Sequence, residues 1–313
     1  MTAASAALAR SITHAASRQT DLTISLLVDR RRVDDAYRAY GYFRWVDDCL
    51  DQGSLSSAAR RAFLAAQRNL IEGAYRGETL AAAPEEQILL DLVLRDPRRD
   101  SGLGLYIRHL LEVMAFDVDR RGRVISEGQL AAYSRSLAIA VTEGLHYFIG
   151  HGGRSPGGLA RYQAVTGAHL AHMLRDFHED LSLGYINIPR EVLGDRPFDP
   201  IHIDDGALRR WVRGRVRQAR RCLRIGRASL RDVESLRCRI AMLAYTLRFE
   251  SVLQQIERAD FALRPGLGAG RPMDAWGTFA RALLAVTRSG AIGARTAPIA
   301  SHAAPPPAEP RPR

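Results

Sequence analysis

Apolar side chains return every three or four positions along most of this chain. Leu22, Leu26, Val33, Ala36, Tyr37, Tyr40 and Phe43 follow that spacing, and so do Leu208, Trp211, Val212, Val216, Ala219 and Leu223. A period near 3.6 gathers such positions on one face of an α-helix. No run of alternating β-branched residues bounded by turn dipeptides interrupts the pattern, so nothing offers a strand. Glycine and proline cluster at Gly152-Gly153 with Pro156-Gly157-Gly158, and again from Gly194 to Pro200, where loops are predicted. The expectation is an all-α protein, a single bundle of roughly ten helices over about residues 15–285.

The two ends read differently. Residues 1–20 carry Arg10 and Arg18, no acid and no continuous apolar stretch, so they do not make a secretory signal. Residues 1–16 are expected as a flexible N-terminus, 17–285 as the helical domain, and 286–313, which close on HAAPPPAEPRPR, as a Pro/Ala-rich disordered tail. The most apolar later segment, Ser136 to Gly150, is broken by Glu143 and His146 and is too short to cross a bilayer.

Composition then narrows the function classes. Of the 313 residues, 46% are hydrophobic and 25% charged, which excludes full-length disorder. Cys49, Cys222 and Cys238 form no C-x-x-C pair, which excludes a disulfide framework and a thiolate zinc site and fits a reducing cytoplasm. The net charge is +11, and all 45 cations are arginine. A GC-rich coding bias is the plain account of most of that arginine. Its charge still attracts anions: acidic lipid, phosphorylated substrates or nucleic acid.

Two acidic ladders carry the candidate chemistry. In YGYFRWVDDCLD, Asp47 and Asp51 stand four apart on one helical face, with Arg44 three residues earlier. Their neighbours Tyr42, Phe43, Trp45, Val46 and Leu50 are apolar or aromatic, and carboxylates in such surroundings need partners. A second ladder, HLAHMLRDFHED, repeats the arrangement with Asp176 and Asp180 beside Arg175, and His172 and His169 continue its face. Two such helices facing each other would make an all-oxygen site suited to Mg²⁺. Mg²⁺ completes its shell with waters and substrate phosphates, so the natural ligand is a diphosphate. The chemistry permitted is loss of diphosphate from an allylic carbon, with the carbocation held in an apolar pocket.

At these residues the chain resembles the squalene/phytoene synthase family of head-to-head prenyl synthases. The first family motif, approximately Y-x-F-x-R-x-x-D-D-x-x-D, is met by Tyr40, Arg44, Asp47, Asp48 and Asp51, with Tyr42 in place of Phe. The second, approximately N-x-L-R-D-x-x-E-D followed by G-R-x-Y-x-P, is met by Leu174, Arg175, Asp176, Glu179, Asp180, Gly184 and Pro189. Asp47 and Asp176 lie 129 residues apart, within the family's range. Weaker echoes are Leu111 to Val118, Tyr133, and Phe249 to Arg264, so the likeness covers roughly 17–265. The resemblance implies an isoprenoid-synthase-type bundle binding several Mg²⁺ ions through Asp47, Asp51, Asp176 and Asp180. It also implies two C15 or C20 prenyl diphosphates joined through a cyclopropylcarbinyl diphosphate. Arg44 and Arg175 would bind diphosphate, Tyr40 would line the site, and Arg264 is a candidate late phosphate contact. The squalene branch uses NADPH, and no pattern here demands it.

Departures from the family set further expectations. His172 stands for an asparagine, His169 for a glutamine, and Tyr185-Ile186-Asn187 for R-x-Y. Ile139 and Thr142 replace two glycines of the middle helix, which predicts a narrowed substrate channel. That narrowing keeps open a single-substrate cyclase, or prenyl transfer to a non-prenyl acceptor. A non-catalytic assembly factor is a third reading, and His169, His172 and Asp176 as redox-metal ligands a fourth. His172 also reads as a general base or a diphosphate donor. Residues 207–231 hold ten arginines beside an apolar stripe. They read first as an amphipathic structural helix, then as a peripheral membrane contact; no nucleic-acid motif accompanies them.

Overall fold

Serine hydroxyls start five of the helices. Ser17, Ser56, Ser101, Ser126 and Ser235 each accept a hydrogen bond from the backbone N–H three residues on. Each satisfies one of the donors that a helix N-terminus leaves free. In a computed structural model, residues 3–51, 55–155, 157–194, 205–267 and 281–282 are described. They form twelve α-helices and no strand: α1 Ala3–Ala16, α2 Arg18–Leu27, α3 Val33–Asp51, α4 Ser57–Tyr75, α5 Pro84–Arg95, α6 Gly102–Arg120, α7 Glu127–Phe148, α8 Gln163–Arg175, α9 Phe177–Ser182, α10 Arg190–Leu193, α11 Asp205–Leu230 and α12 Leu236–Arg258. The all-α expectation holds, with two more helices than the period alone resolves. No helix among the described residues is long and apolar enough to cross a membrane.

The N-terminus corrects one expectation. Residues 3–16 are helical, and Ala9 and Thr13 are fully buried against the bundle. The close fit depends on Gly41 of α3, where a Cβ would lie 2.9 Å from the Ala9 backbone. Small residues that read as a frayed end are thus what lets α1 approach. The expected tail, 286–313, and the loop at 195–200 lie outside the described residues. The glycine loop is present at 152–155 and 157–158, with Gly152 and Gly158 at positive φ.

Two apolar clusters frame the site. One joins α3, α5, α6 and α7 through Tyr42, Ile88, Leu89, Leu103, Ile107 and Phe148. The other joins α8, α11 and α12 through Leu174, Val212, Val216, Phe249 and Leu253. Full burial of each such side chain contributes about 1.5–3 kcal/mol. The inner faces of α3, α6, α7, α8 and α12 remain partly unfilled between the clusters, and there the two cavities described next open.

Candidate active site

The C-terminal half of α3 presents Asp47 and Asp51 to a cavity of about 180 Å³. Arg60 of α4 holds that helix end in place, its Nε donating to the Leu50 carbonyl at 2.7 Å. The facing wall is α8 with the short α9. The second ladder is not one continuous helix: α8 ends at Arg175, and α9 starts at Phe177. The Asp180 N–H still donates to the Asp176 carbonyl at 2.7 Å, so the two carboxylates keep an i,i+4 relation across the break. Asp176 and Asp180 line the same cavity as Asp47 and Asp51. The four predicted acids are therefore brought together.

Their electrostatics differ. Burial pushes Asp47 up to about 6, and the Asp51 charge adds to it against the opposing Arg44. Burial likewise outweighs the Asn187 hydrogen bond at Asp180, which, with the Asp176 charge beside it, also rises to about 6. Asp176 goes the other way. Burial alone would raise it, but Arg175 donates to both oxygens at 2.5 and 2.7 Å and His172 Nε2 lies 2.7 Å away, and together they hold it well below the usual carboxylate range. Carboxylates raised by burial and by a neighbouring carboxylate's charge are ones that a cation stabilises.

Among the described residues no three His, Cys, Asp or Glu side chains converge on one metal ion. His169, His172 and Asp176 therefore do not assemble the redox site considered from sequence, and the four aspartates form no single cage. Two separated carboxylate pairs around one cavity do fit Mg²⁺, which is held by one or two carboxylates and keeps waters and phosphate oxygens for the rest.

A second cavity, of about 600 Å³, is mostly apolar and meets the first at Asp47, Met114, Asp117 and His172. Tyr40, Phe43, Tyr106, Leu137, Val141 and Phe148 form much of its wall. Tyr40 thus lines the apolar cavity. Arg44 lines it too, pairing with Asp48 and lying 3.5 Å from Asp47. His172 touches both cavities, and His169 lines the acidic one. The His169 ring packs 5.3 Å from Tyr133 with neither nitrogen hydrogen-bonded, and burial holds it down at about 3, so it is a neutral imidazole.

Four predicted residues are placed elsewhere. Arg175 lines neither cavity; its guanidinium is committed to Asp176 and orients that carboxylate. Arg264 is exposed beyond α12 and lines neither. Ile139 and Thr142 also line neither, because the face of α7 turned inward is Leu137, Val141, Gly144 and Phe148. The predicted narrowing at Ile139 is therefore absent.

Other site residues escaped the sequence reading. Asp117 and Arg120 of α6 face the acidic cavity, where Arg120 Nε donates to Asp117 at 2.6 Å and Tyr133 donates to it at 3.1 Å. Arg120 also donates to Asn187 at 2.7 Å, and Asn187 donates to Asp180 at 2.6 Å. Asn187, a departure from the family motif, thus closes a chain running from Tyr133 to the second acidic pair. Arg121 lines the acidic cavity and Arg248 of α12 the apolar one, where Arg248 donates to Gln19 at 2.7 Å and stacks 4.4 Å from Phe249. Asp117 carried one available signal: it is the acid on the Met114–Val118 face of an otherwise apolar stretch.

Known proteins share both the fold and the sequence pattern. Squalene synthase HpnC from Alicyclobacillus acidocaldarius superposes with a TM-score of 0.65 at 22% identity, over 83% of this chain and 95% of that one. A dehydrosqualene synthase crystallised with a ligand gives 0.65 at 16% identity, over 92% of this chain and 97% of its own. No curated protein matches in sequence. The sequence model of squalene/phytoene synthases matches residues 13–273, which takes in α3 and α8 to α12, and the chain accordingly belongs to the squalene/phytoene synthase family, whose members are prenyltransferases acting on prenyl diphosphates.

Proposed function

We propose that this enzyme ionises one allylic prenyl diphosphate and couples it to a second of the C15 or C20 class. The observation that carries this reading is the junction of the two cavities. Four carboxylates line a polar chamber that opens, at Asp47, Met114, Asp117 and His172, into an apolar one about three times larger. A prenyl diphosphate has the same two-part chemistry.

Asp47, Asp51 and Asp180 would hold Mg²⁺, with Asp176 contributing through an oxygen already shared with Arg175 and His172. Bound Mg²⁺ supplies charge neutralisation for the leaving diphosphate. The allylic C–O bond breaks heterolytically and the electron pair leaves with the diphosphate. Arg44 and Arg121 add positive charge at the two cavity walls. The cation is then exposed to Phe43, Tyr106, Leu137, Val141 and Phe148 and shielded from water. The double bond of the second chain attacks it and a proton is lost, which gives a cyclopropylcarbinyl diphosphate that still carries the second chain's diphosphate. His172, which lines both cavities, is a base of suitable chemistry. Heterolytic loss of that second diphosphate, rearrangement of the three-membered ring and loss of one more proton would give a long hydrocarbon chain, and we place its release at a membrane surface, with residues 207–231 as the contact.

The test is incubation of the pure protein with C10, C15 and C20 allylic diphosphates, with and without Mg²⁺, reading diphosphate release and product mass together. A Mg²⁺-dependent product with twice the carbon count is expected. An unchanged carbon count would replace coupling by cyclisation, and no release from any substrate would leave an acceptor-dependent transferase or an assembly factor.

A further inference from the structure

The ten arginines of residues 207–231 divide into two sets in space. Arg209 and Arg213 pair with Asp260 at 3.1 and 3.5 Å, Arg220 with Glu257 at 2.7 Å, Arg227 with Glu250, and the buried Arg215 with Glu127. The remaining five, Arg210, Arg217, Arg221, Arg224 and Arg231, are exposed, and among the described residues no acid pairs with them. Spacings of seven, four and three put Arg210, Arg217, Arg221 and Arg224 in one row along α11, and Arg231 follows just past its end. Gly214 and exposed Ala228 fill the other turns of that row, and a Cβ at Gly214 would meet nothing within 4 Å. The opposite row, Val212, Val216, Ala219 and Leu223, is buried against the bundle.

Like charges so aligned repel one another, and nothing within the described protein offsets them. At about 1.5 Å per residue, Arg210 to Arg224 span roughly 20 Å, a straight and open cationic edge. We propose that this row docks the enzyme on an anionic lipid bilayer, a reading that rests on the hydrocarbon product assigned above. The apolar face of α11 is already used inside the bundle, so attachment is electrostatic, at headgroup level and without insertion. Single-stranded RNA is the poorer occupant. It calls for aromatic stacking platforms, and the one aromatic of α11, Trp211, is half-buried off the row.

The experiment is co-sedimentation of the full chain with vesicles of phosphatidylcholine alone or mixed with phosphatidylglycerol, at about 0.1 M salt. Binding is expected to the acidic vesicles only. The variant Arg210→Gln/Arg217→Gln/Arg221→Gln/Arg224→Gln should lose roughly a hundredfold or more of that binding. A control with the same charge change, Arg30→Gln/Arg108→Gln/Arg135→Gln/Arg190→Gln, should keep most of it. The proposal is overturned if the wild type ignores acidic vesicles, if both variants fall alike, or if the row variant binds as before. Preferential binding of poly(U) over vesicles at the same salt, lost in the row variant, would overturn it in favour of RNA. Turnover in detergent micelles keeps the two readings apart. The row variant should match the wild type there, and absence of coupled product in that arm counts against the reaction alone.

Discussion

Asn187 donates to Asp180 at 2.6 Å while accepting from Arg120 at 2.7 Å, so one amide ties α6 to the second acidic pair. It fixes which Asp180 oxygen faces the cavity. Partners that orient a metal-binding carboxylate change its affinity without touching the ion. Asn187→Ala is therefore expected to raise the Mg²⁺ concentration needed for half-maximal turnover by about 10–100-fold. Asn187→Gln, if its longer amide finds both partners, should recover part of it. A magnesium titration at saturating substrate makes the measurement, and an unshifted midpoint would leave Asn187 a purely structural residue.

The raised acids give a pH dependence whose sign is unusual for carboxylates. Asp47 and Asp180 stand at about 6 in the folded chain, above the ordinary aspartate value near 3.8. A folded state that binds protons more tightly than the unfolded one gains stability as pH falls through about 6. Without metal, melting temperature should rise on going from pH 8 to pH 5 within this pair's contribution. Mg²⁺ competes with those protons, so its stabilising effect should be large at pH 8 and small at pH 5. Thermal melts with Mg²⁺ and with EDTA across that range decide it. Equal Mg²⁺ shifts at both pH values would contradict the assignment.

His169 should show stability and activity moving in opposite directions. It is 4% exposed, and neither ring nitrogen has a partner. A buried polar group left unpaired costs about 1–3 kcal/mol, which an apolar residue of similar size does not incur. His169→Leu is expected to raise stability by about 1 kcal/mol and to lower turnover, because its imidazole lines the acidic cavity. Denaturant melts and initial rates on the same preparation read both effects. Loss of stability together with unchanged turnover would make His169 a packing residue.

Docking of α1 predicts a different kind of sensitivity. Gly41→Leu places a side chain where a Cβ already lies 2.9 Å from the Ala9 backbone. Overpacking of this kind costs about 1–3 kcal/mol, and here the obstacle is backbone that cannot swing aside. The loss should appear as a lowered melting temperature and faster proteolysis within residues 3–16. A variant as stable as the wild type would mean that α1 contributes little.

The acids of both ladders were legible because two carboxylates at i,i+4 among aromatic neighbours have few structural explanations. Asp117, Arg120 and Asn187 were not. Asp117 and Arg120 make an ordinary i,i+3 pair on α6, Asn187 is a single amide in a turn, and the Arg120–Asn187 bond joins positions 67 apart, which no local pattern encodes. Arg248 was lost among 45 arginines, and only its burial in the cavity wall separates it from the solvated ones. The α1 helix was misread for a related reason: alanine and serine look like a frayed end unless Gly41 is known to face them. Arg175 was assigned to substrate by motif, whereas its bonds go to Asp176.

The register of α7 gives a test that separates motif position from geometry. Ile139 stands where the family has glycine, yet Leu137, Val141 and Gly144 are the residues turned into the apolar cavity. Enlarging a wall residue removes volume from a chain-binding cavity, whereas trimming a residue off the wall adds none. Val141→Phe should therefore cut turnover of C20 substrate far more than that of C10, and Ile139→Ala should leave the C10-to-C20 ratio within about twofold of wild type, the change of a few tenths of a kcal/mol expected away from a contact. The ratio of initial rates on C10 and C20 diphosphates is the readout, with folding of each variant checked by circular dichroism. If Ile139→Ala opened the enzyme to longer chains and Val141→Phe did not close it, the face of α7 that meets substrate would be the one carrying Ile139.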